Sequence, residues 1–122
     1  MKVFVDGSPT RVCYVAEGER PEVRDLGDKF TNNQAEYLAI LVALKNLENV
    51  TEILTDSELA VKQLDGRDVV ANHHLKLLAQ AVWERVDAKF VPTKKGLRCV
   101  APGRVVFTWI PREENLAGRV LG

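Results

Sequence analysis

Three acidic residues stand where this sequence could do chemistry. Asp6 closes the apolar run KVFVD, Asp56 closes TEILTD, and each is followed by a small residue, Gly7 or Ser57. Short apolar runs of this kind read as strands, and in an open α/β sheet ligands gather at the carboxyl ends of strands. If the two strands are parallel neighbours, both carboxylates emerge at the same sheet edge. Glu36 lies four residues before Ile40 and eight before Leu44, which places a third carboxylate at the head of a helical stripe that packs on the sheet. A charge on the core-facing side is expensive unless something neutralises it. Two unit charges about 5 Å apart repel by roughly 3 kcal/mol at an effective dielectric of 20, and a bound cation removes that cost. An all-oxygen set suits Mg²⁺ or Mn²⁺ and argues against zinc or copper. Carboxylates that leave coordination positions to water and phosphate oxygens support two-metal phosphodiester cleavage. Each residue alone also has a purely local reading, Asp56 as a helix cap, Asp6 as a turn residue and Glu36 as a charge favoured at the positive helix end. All three at one edge are harder to attribute to local structure.

The elements that must position them follow from periodicity. KVFVD has apolar side chains at odd and even positions, as a strand buried on both faces requires, so it should be central. RVCYVAE from Arg11 and EVRDLGD from Glu22 are two further strands of an antiparallel meander. From Gln34 to Leu47 the period becomes helical, with Thr31 or Asn33 as the cap. TEILTD then forms a strand and SELAVKQL a short helix, and the right-handed crossover rule lays Ile53 and Leu54 parallel to Val3 to Val5. Gly66 ends that helix, and Asn72 opens another running to about Lys89. Residues 92 to 103 read as a loop or a small hairpin, VVFTWI from Val105 as a strand stopped by Pro111, and EENLAGRVLG as a short, frayed terminal helix.

The composition sets outer bounds. The 122 residues make one compact domain over 1–122, with 46% apolar and 28% charged residues, an ordinary balance for a folded chain. No run approaches the roughly 20 apolar residues of a membrane-spanning helix, so no membrane partner is expected. Cys13 and Cys99 lack zinc-type spacing and fit a reducing compartment, which points to the cytoplasm. Basic and acidic residues balance at 17 each, so global charge does not advertise a polyanionic partner. Locally, Lys94, Lys95, Arg98 and Arg104 share the acid-free stretch TKKGLRCVAPGR, which is either a solvated loop or a phosphate-contacting arm.

The order VFVDGS, TNNQAEYLAILVAL, ILTDSELAVKQL and VVFTWIPREEN resembles type 1 ribonuclease H over nearly the whole chain, with TNNQAEY followed by TDS as the specific part. The resemblance implies a ribonuclease H-like α/β fold: a five-stranded mixed sheet, three antiparallel strands then parallel ones, with helices on both faces. It also implies Mg²⁺ dependence and an endonuclease that hydrolyses the RNA strand of RNA–DNA hybrids, leaving a 5′-phosphate. By position, Asp6, Glu36 and Asp56 match three metal ligands of the family. Asn32 and Asn33 match residues that read the minor groove, where the 2′-hydroxyl marks RNA. Gly7 is counted with them as a substrate contact. Thr31 and Asn72 match a site for a phosphate of the DNA strand, although capping also explains Thr31, Asn33 and Asn72. Arg112 could approach the departing phosphate, or be solvated.

The chain departs from the family pattern in several places. The link after the first strand is cut to SPTR, and a basic protrusion is missing between Leu64 and Leu75, which TKKGLRCVAPGR could replace. The family's mobile histidine is unmatched in WIPREEN, and His73 and His74 read as surface residues. The family ends N-x-x-A-D, whereas this chain has Asn115 to Arg119, NLAGR, so Arg119 takes the place of the fourth ligand. A fixed positive charge about 5 Å from a divalent ion costs roughly 6 kcal/mol, so Arg119 should point away. Two readings remain. One is an active nuclease with its fourth position filled by water, Asn115, Glu113 or Glu114; the other is an impaired module that binds hybrid or double-stranded RNA. A different phosphodiesterase of the same fold is a third.

Overall fold

A computed structural model describes residues 1–122. Its central feature is a five-stranded sheet in the order β3-β2-β1-β4-β7. Strands β1 (Lys2–Gly7), β2 (Arg11–Ala16) and β3 (Glu22–Asp25) form the antiparallel meander, while β4 (Glu52–Thr55) and β7 (Val106–Trp109) add in parallel. β1 is central, as its two-sided apolar pattern requires. β3 is shorter than EVRDLGD and wholly exposed, an edge strand with little to bury.

Side chains alternate across β1 and sort into two layers. Val3 and Val5 join the main core with Tyr37, Ile40 and Leu44 of α1 (Asn32–Asn46) and with Leu75, Ala79, Val82 and Trp83 of α3 (His73–Val86). Phe4 faces the other way, into a smaller cluster of Cys13, Val15, Ala117 and Leu121, which α4 (Leu116–Leu121) covers. Helices therefore lie on both faces. α2 (Glu58–Leu64) extends the main layer between α1 and α3. Both cysteines are buried free thiols. No helix is long and apolar enough to cross a membrane.

Four boundaries differ from the sequence reading. α1 starts two residues earlier, because Thr31 and Gln34 form a reciprocal capping box; Asn33 is inside the helix and cannot be its cap. α3 stops at Val86, not Lys89, because Asp87 adopts the left-handed conformation at φ 62°, which aspartate tolerates better than most residues. The stretch left as loop or hairpin is a hairpin that starts earlier, pairing β5 (Lys89–Pro92) with β6 (Leu97–Ala101) as a separate small sheet. The terminal helix is not frayed: Ala117 and Gly118 are buried against β1 and β2, and a 3₁₀ turn at Arg112–Glu114 precedes it.

Trp83 ties three of these elements together. Fully buried, it donates its indole N–H to the Leu64 carbonyl at 3.1 Å and stacks on Phe90 at 5.0 Å between ring centres. Trp83→Phe keeps an aromatic ring but strands the buried carbonyl of Leu64, which costs about 1–3 kcal/mol. Urea unfolding should show a stability loss of about that size with the m-value unchanged.

Candidate metal centre and nucleic-acid cleft

The parallel register of β1 and β4 sets the first two corners. Lys2 pairs with Glu52, Val3 with Ile53 and Phe4 with Leu54, and the same step carried to the strand ends brings Asp6 level with Asp56. By alternation both point to the face that α4 covers. Asp6 is only 2% exposed.

Glu36 reaches them from the opposite layer, over the end of β1. Its Oε1 accepts the Gly7 N–H at 2.6 Å and its Oε2 lies 3.5 Å from the Thr55 hydroxyl. Glycine is required at position 7 because a Cβ there would sit 2.2 Å from the Ala35 carbonyl oxygen. Carboxylate oxygens of Asp6, Glu36 and Asp56 all lie within 4.8 Å of one another. Burial pushes the Glu36 carboxyl up to about 8, with the Asp6 charge adding to it and the Gly7 N–H pulling against it. Asp6 is also raised, chiefly by burial, with the Arg112 charge opposing.

At the fourth corner Arg119 is exposed on α4, turned away as its charge requires, and Gly118 of that helix lies beside the carboxylates: an added Cβ there would be 3.5 Å from Asp56 Oδ2 and 3.2 Å from Arg112 Nη1. The room left by Gly118 is taken by Arg112. Its Nη1 bonds Asp6 Oδ1 and Asp56 Oδ2, each at 3.1 Å. Glu113 and Glu114 are exposed and outside the cluster. Asn115, fully buried, spends its Oδ1 on the Ala117 N–H and turns its amide nitrogen to the Val5 carbonyl at 2.9 Å and Asp56 at 3.4 Å. It orients Asp56 and supplies no oxygen ligand. An asparagine that both caps a helix and follows the REE turn is a signal the sequence carries, although its reach to Val5 is not.

The oxygen set fits a hard divalent cation. With all three carboxylates ionised, as a bound cation would require, they and one guanidinium sum to a charge of −2, so Arg112 alone does not neutralise the cluster. These groups open into a cleft of about 410 Å³, whose lining includes Gly7, Asn32, Asn33 and Arg112. Asn33 also lines a smaller hollow of about 160 Å³ with Thr31, Gln34, Asn72 and His74. Gly7, Asn32, Asn33 and Arg112 thus line the carboxylate cleft, Thr31 and Asn72 line the second hollow, and Asn33 is shared by both. Capping and phosphate contact are compatible here. The Thr31 oxygen accepts from Gln34, leaving its hydroxyl hydrogen free, and Asn72 Oδ1 accepts from His74 and Leu75, leaving its NH₂ free. Gly7 differs, since its N–H is already committed to Glu36 and only its surface faces the groove. His73 and His74 are exposed at the start of α3. A larger hollow of about 620 Å³ near Tyr14 and Leu47 has no such carboxylate cluster.

No protein-family model matches the sequence. Solved structures do. RNase H1 from the halophilic archaeon Halobacterium salinarum is 21% identical, with a TM-score of 0.73 over 98% of this chain and 92% of that one. The N-terminal RNase H domain of a Mycobacterium tuberculosis protein, solved as a fusion with maltose-binding protein, is 24% identical, with a TM-score of 0.70 over 97% and 87%. LC11-RNase H1, solved in complex with an RNA/DNA hybrid, is 24% identical, with a TM-score of 0.64 over 99% of both chains. With the sheet order and helix placement above, these likenesses show that the protein has the ribonuclease H-like fold.

Proposed function

We propose that this protein is a divalent-metal-dependent endonuclease that hydrolyses the RNA strand of RNA–DNA hybrids. The convergence of Asp6, Glu36 and Asp56 oxygens within 4.8 Å at the carboxyl edge of the sheet carries this reading. The likeness to RNase H1 proteins, one of them solved with a hybrid, supports the substrate class.

Asp6, Glu36 and Asp56 are the residues that would hold Mg²⁺ or Mn²⁺. In the two-ion form of this chemistry the metal supplies an activated water on one side of the scissile phosphate and charge neutralisation of the leaving oxygen on the other. The protein's own groups do the rest. Gly7 and Thr55 fix the Glu36 carboxylate, and Asn115 fixes Asp56. Asn32 and Asn33 present side-chain amides to the minor groove, where a 2′-hydroxyl offers both donor and acceptor. Thr31 and Asn72 offer donors to a phosphate of the DNA strand. Arg112 holds the carboxylates together in the absence of metal. Its side chain is 54% exposed, so it has solvent to swing into, and as a residue lining the cleft it is the guanidinium that would meet the departing phosphate.

Three measurements test this. Labelled hybrid incubated with Mg²⁺ or Mn²⁺ should be cut in the RNA strand, leaving 5′-phosphates, and Asp6→Asn should lower the rate by at least a hundredfold; equal inertness of wild type and variant, with hybrid still bound, would establish a binding module instead. Metal and Arg112 compete for the same oxygens, and a divalent ion about 5 Å from a guanidinium meets roughly 6 kcal/mol of repulsion at a dielectric of 20. Arg112→Ala should therefore tighten Mn²⁺ binding in a calorimetric titration by tenfold or more. The third concerns pH. Because the folded state holds the Glu36 proton up to about 8 while an unfolded glutamate loses it near 4.3, the folded chain binds more protons across that window, and stability must fall as pH rises. In chelator, the urea midpoint should decline from pH 5 to pH 8.5, Glu36→Gln should flatten the decline, and Mn²⁺ at the alkaline end should restore the midpoint.

A further inference from the structure

The connection from α3 to β7 is longer than the fold needs. Residues 87–105, 19 in all, join two elements that a loop of about 2–6 residues commonly links. The chain spends them on β5 and β6, a two-stranded sheet that stays outside the main one. β5 leaves the C-terminal end of α3 and runs back along the helix. A 14-residue helix is about 21 Å long, a distance that the four residues of β5, at about 3.3 Å each, and the turn beyond them nearly cover.

The hairpin tip is fastened at the other end of α3. Val70 and Leu97 exchange backbone hydrogen bonds at 2.8 and 3.0 Å. Gly96 lies so close that an added Cβ would be 2.1 Å from the Val70 carbonyl oxygen and 3.0 Å from Ala71 Cα, and the next residue in sequence is Asn72. Within the tip, the Thr93 hydroxyl accepts the N–H groups of Lys95 and Gly96 at 3.2 and 3.1 Å and donates to the Gly96 carbonyl at 2.9 Å. The turn is internally braced, so its direction is set.

Lys94 and Lys95 stand on this turn, both exposed, and neither belongs to any of the six ion-pair contacts of the molecule. Arg98, on β6, uses only its Nε, on the Gly66 carbonyl, leaving its terminal nitrogens outward. In a chain of zero net charge, three cations outside every ion pair, on a hairpin whose tip packs against the residue before Asn72, are a local field without an internal partner. Fixed cations of one sign, spaced along a groove that already presents free donors, match a polyphosphate backbone.

We propose that the β5–β6 hairpin is a phosphate-binding arm, with Lys94 and Lys95 holding the nucleic-acid strand just beyond the phosphate seated at Thr31 and Asn72. This rests on the reading of the cleft as a hybrid site. The arm lengthens the footprint away from the metal centre and makes binding more salt-dependent without touching the carboxylates.

The experiment is hybrid binding by fluorescence anisotropy at several salt concentrations, with the full chain carrying Asp6→Asn to block cleavage. Each lost phosphate contact lowers the slope of log K against log salt by about 0.9. Adding Lys94→Ala and Lys95→Ala should reduce the slope by about 1.8 and weaken binding at least tenfold at moderate salt. Lys45→Ala, in the last turn of α1 at the far end from Thr31, should leave the slope unchanged. An unchanged slope in the double variant, with hybrid still bound, overturns the arm alone. Absence of any hybrid binding by the parent protein overturns the hybrid reading and the arm together.

Discussion

At the end of β1, α1 passes so close that only a residue without a side chain fits between them. Gly7 fills that gap, and its N–H points into the carboxylate of Glu36. Through this contact a residue of one helical layer reaches across a sheet edge to meet Asp6 and Asp56, which belong to the other face. The approach distance is set by packing of the large apolar stripe of α1 on Val3 and Val5. Core packing thus fixes the position of a charged group that packing alone would reject.

Bringing three carboxylates together raises the electrostatic cost, and the chain offsets part of it from its last segment. Arg112 spans Asp6 and Asp56, Asn115 steadies Asp56, and Gly118 leaves space for the guanidinium. A carboxylate at position 118 would need that space and would deepen the negative charge; the arginine and the glycine are therefore complementary choices. Nothing of this kind governs the distal groove, where Thr31 and Asn72 stabilise helix starts with their acceptors and keep their donors outward.

Much of this was legible beforehand, for definite reasons. A strand buried on both faces announces itself as continuous apolar sequence, so β1 and β4 and the acids that end them could be placed. Glu36 followed from helix phase alone. At the fourth corner the outward turn of Arg119 was legible from its charge, but the bridge of Arg112 to Asp6 and Asp56 was not, because it depends on the phase of a six-residue helix. Its phase is set by the small residues it can bury, Ala117 and Gly118, and these turn Arg119 to solvent. The hairpin was only half legible. Strands of four or five residues with one buried face carry little pattern, and Phe90 extends the apolar period of α3 past the point where Asp87 breaks it. Its attachment to Val70 is a long-range contact that no local signal encodes.

The bonds at the fourth corner also bear on the order in which the molecule assembles. The Arg112 to Asp6 and Asn115 to Val5 contacts join residues separated by 106 and 110 positions, close to the largest loops this chain can make. Loop closure of that span is among the slowest and most entropically costly of events. The first strand and the final turn must both be in place before the acidic cluster acquires its intramolecular counter-ion. A partly folded chain in which β1, α1 and β4 have met but the final turn has not therefore holds the three acids together with no intramolecular counter-ion, and their mutual repulsion is greatest at that stage.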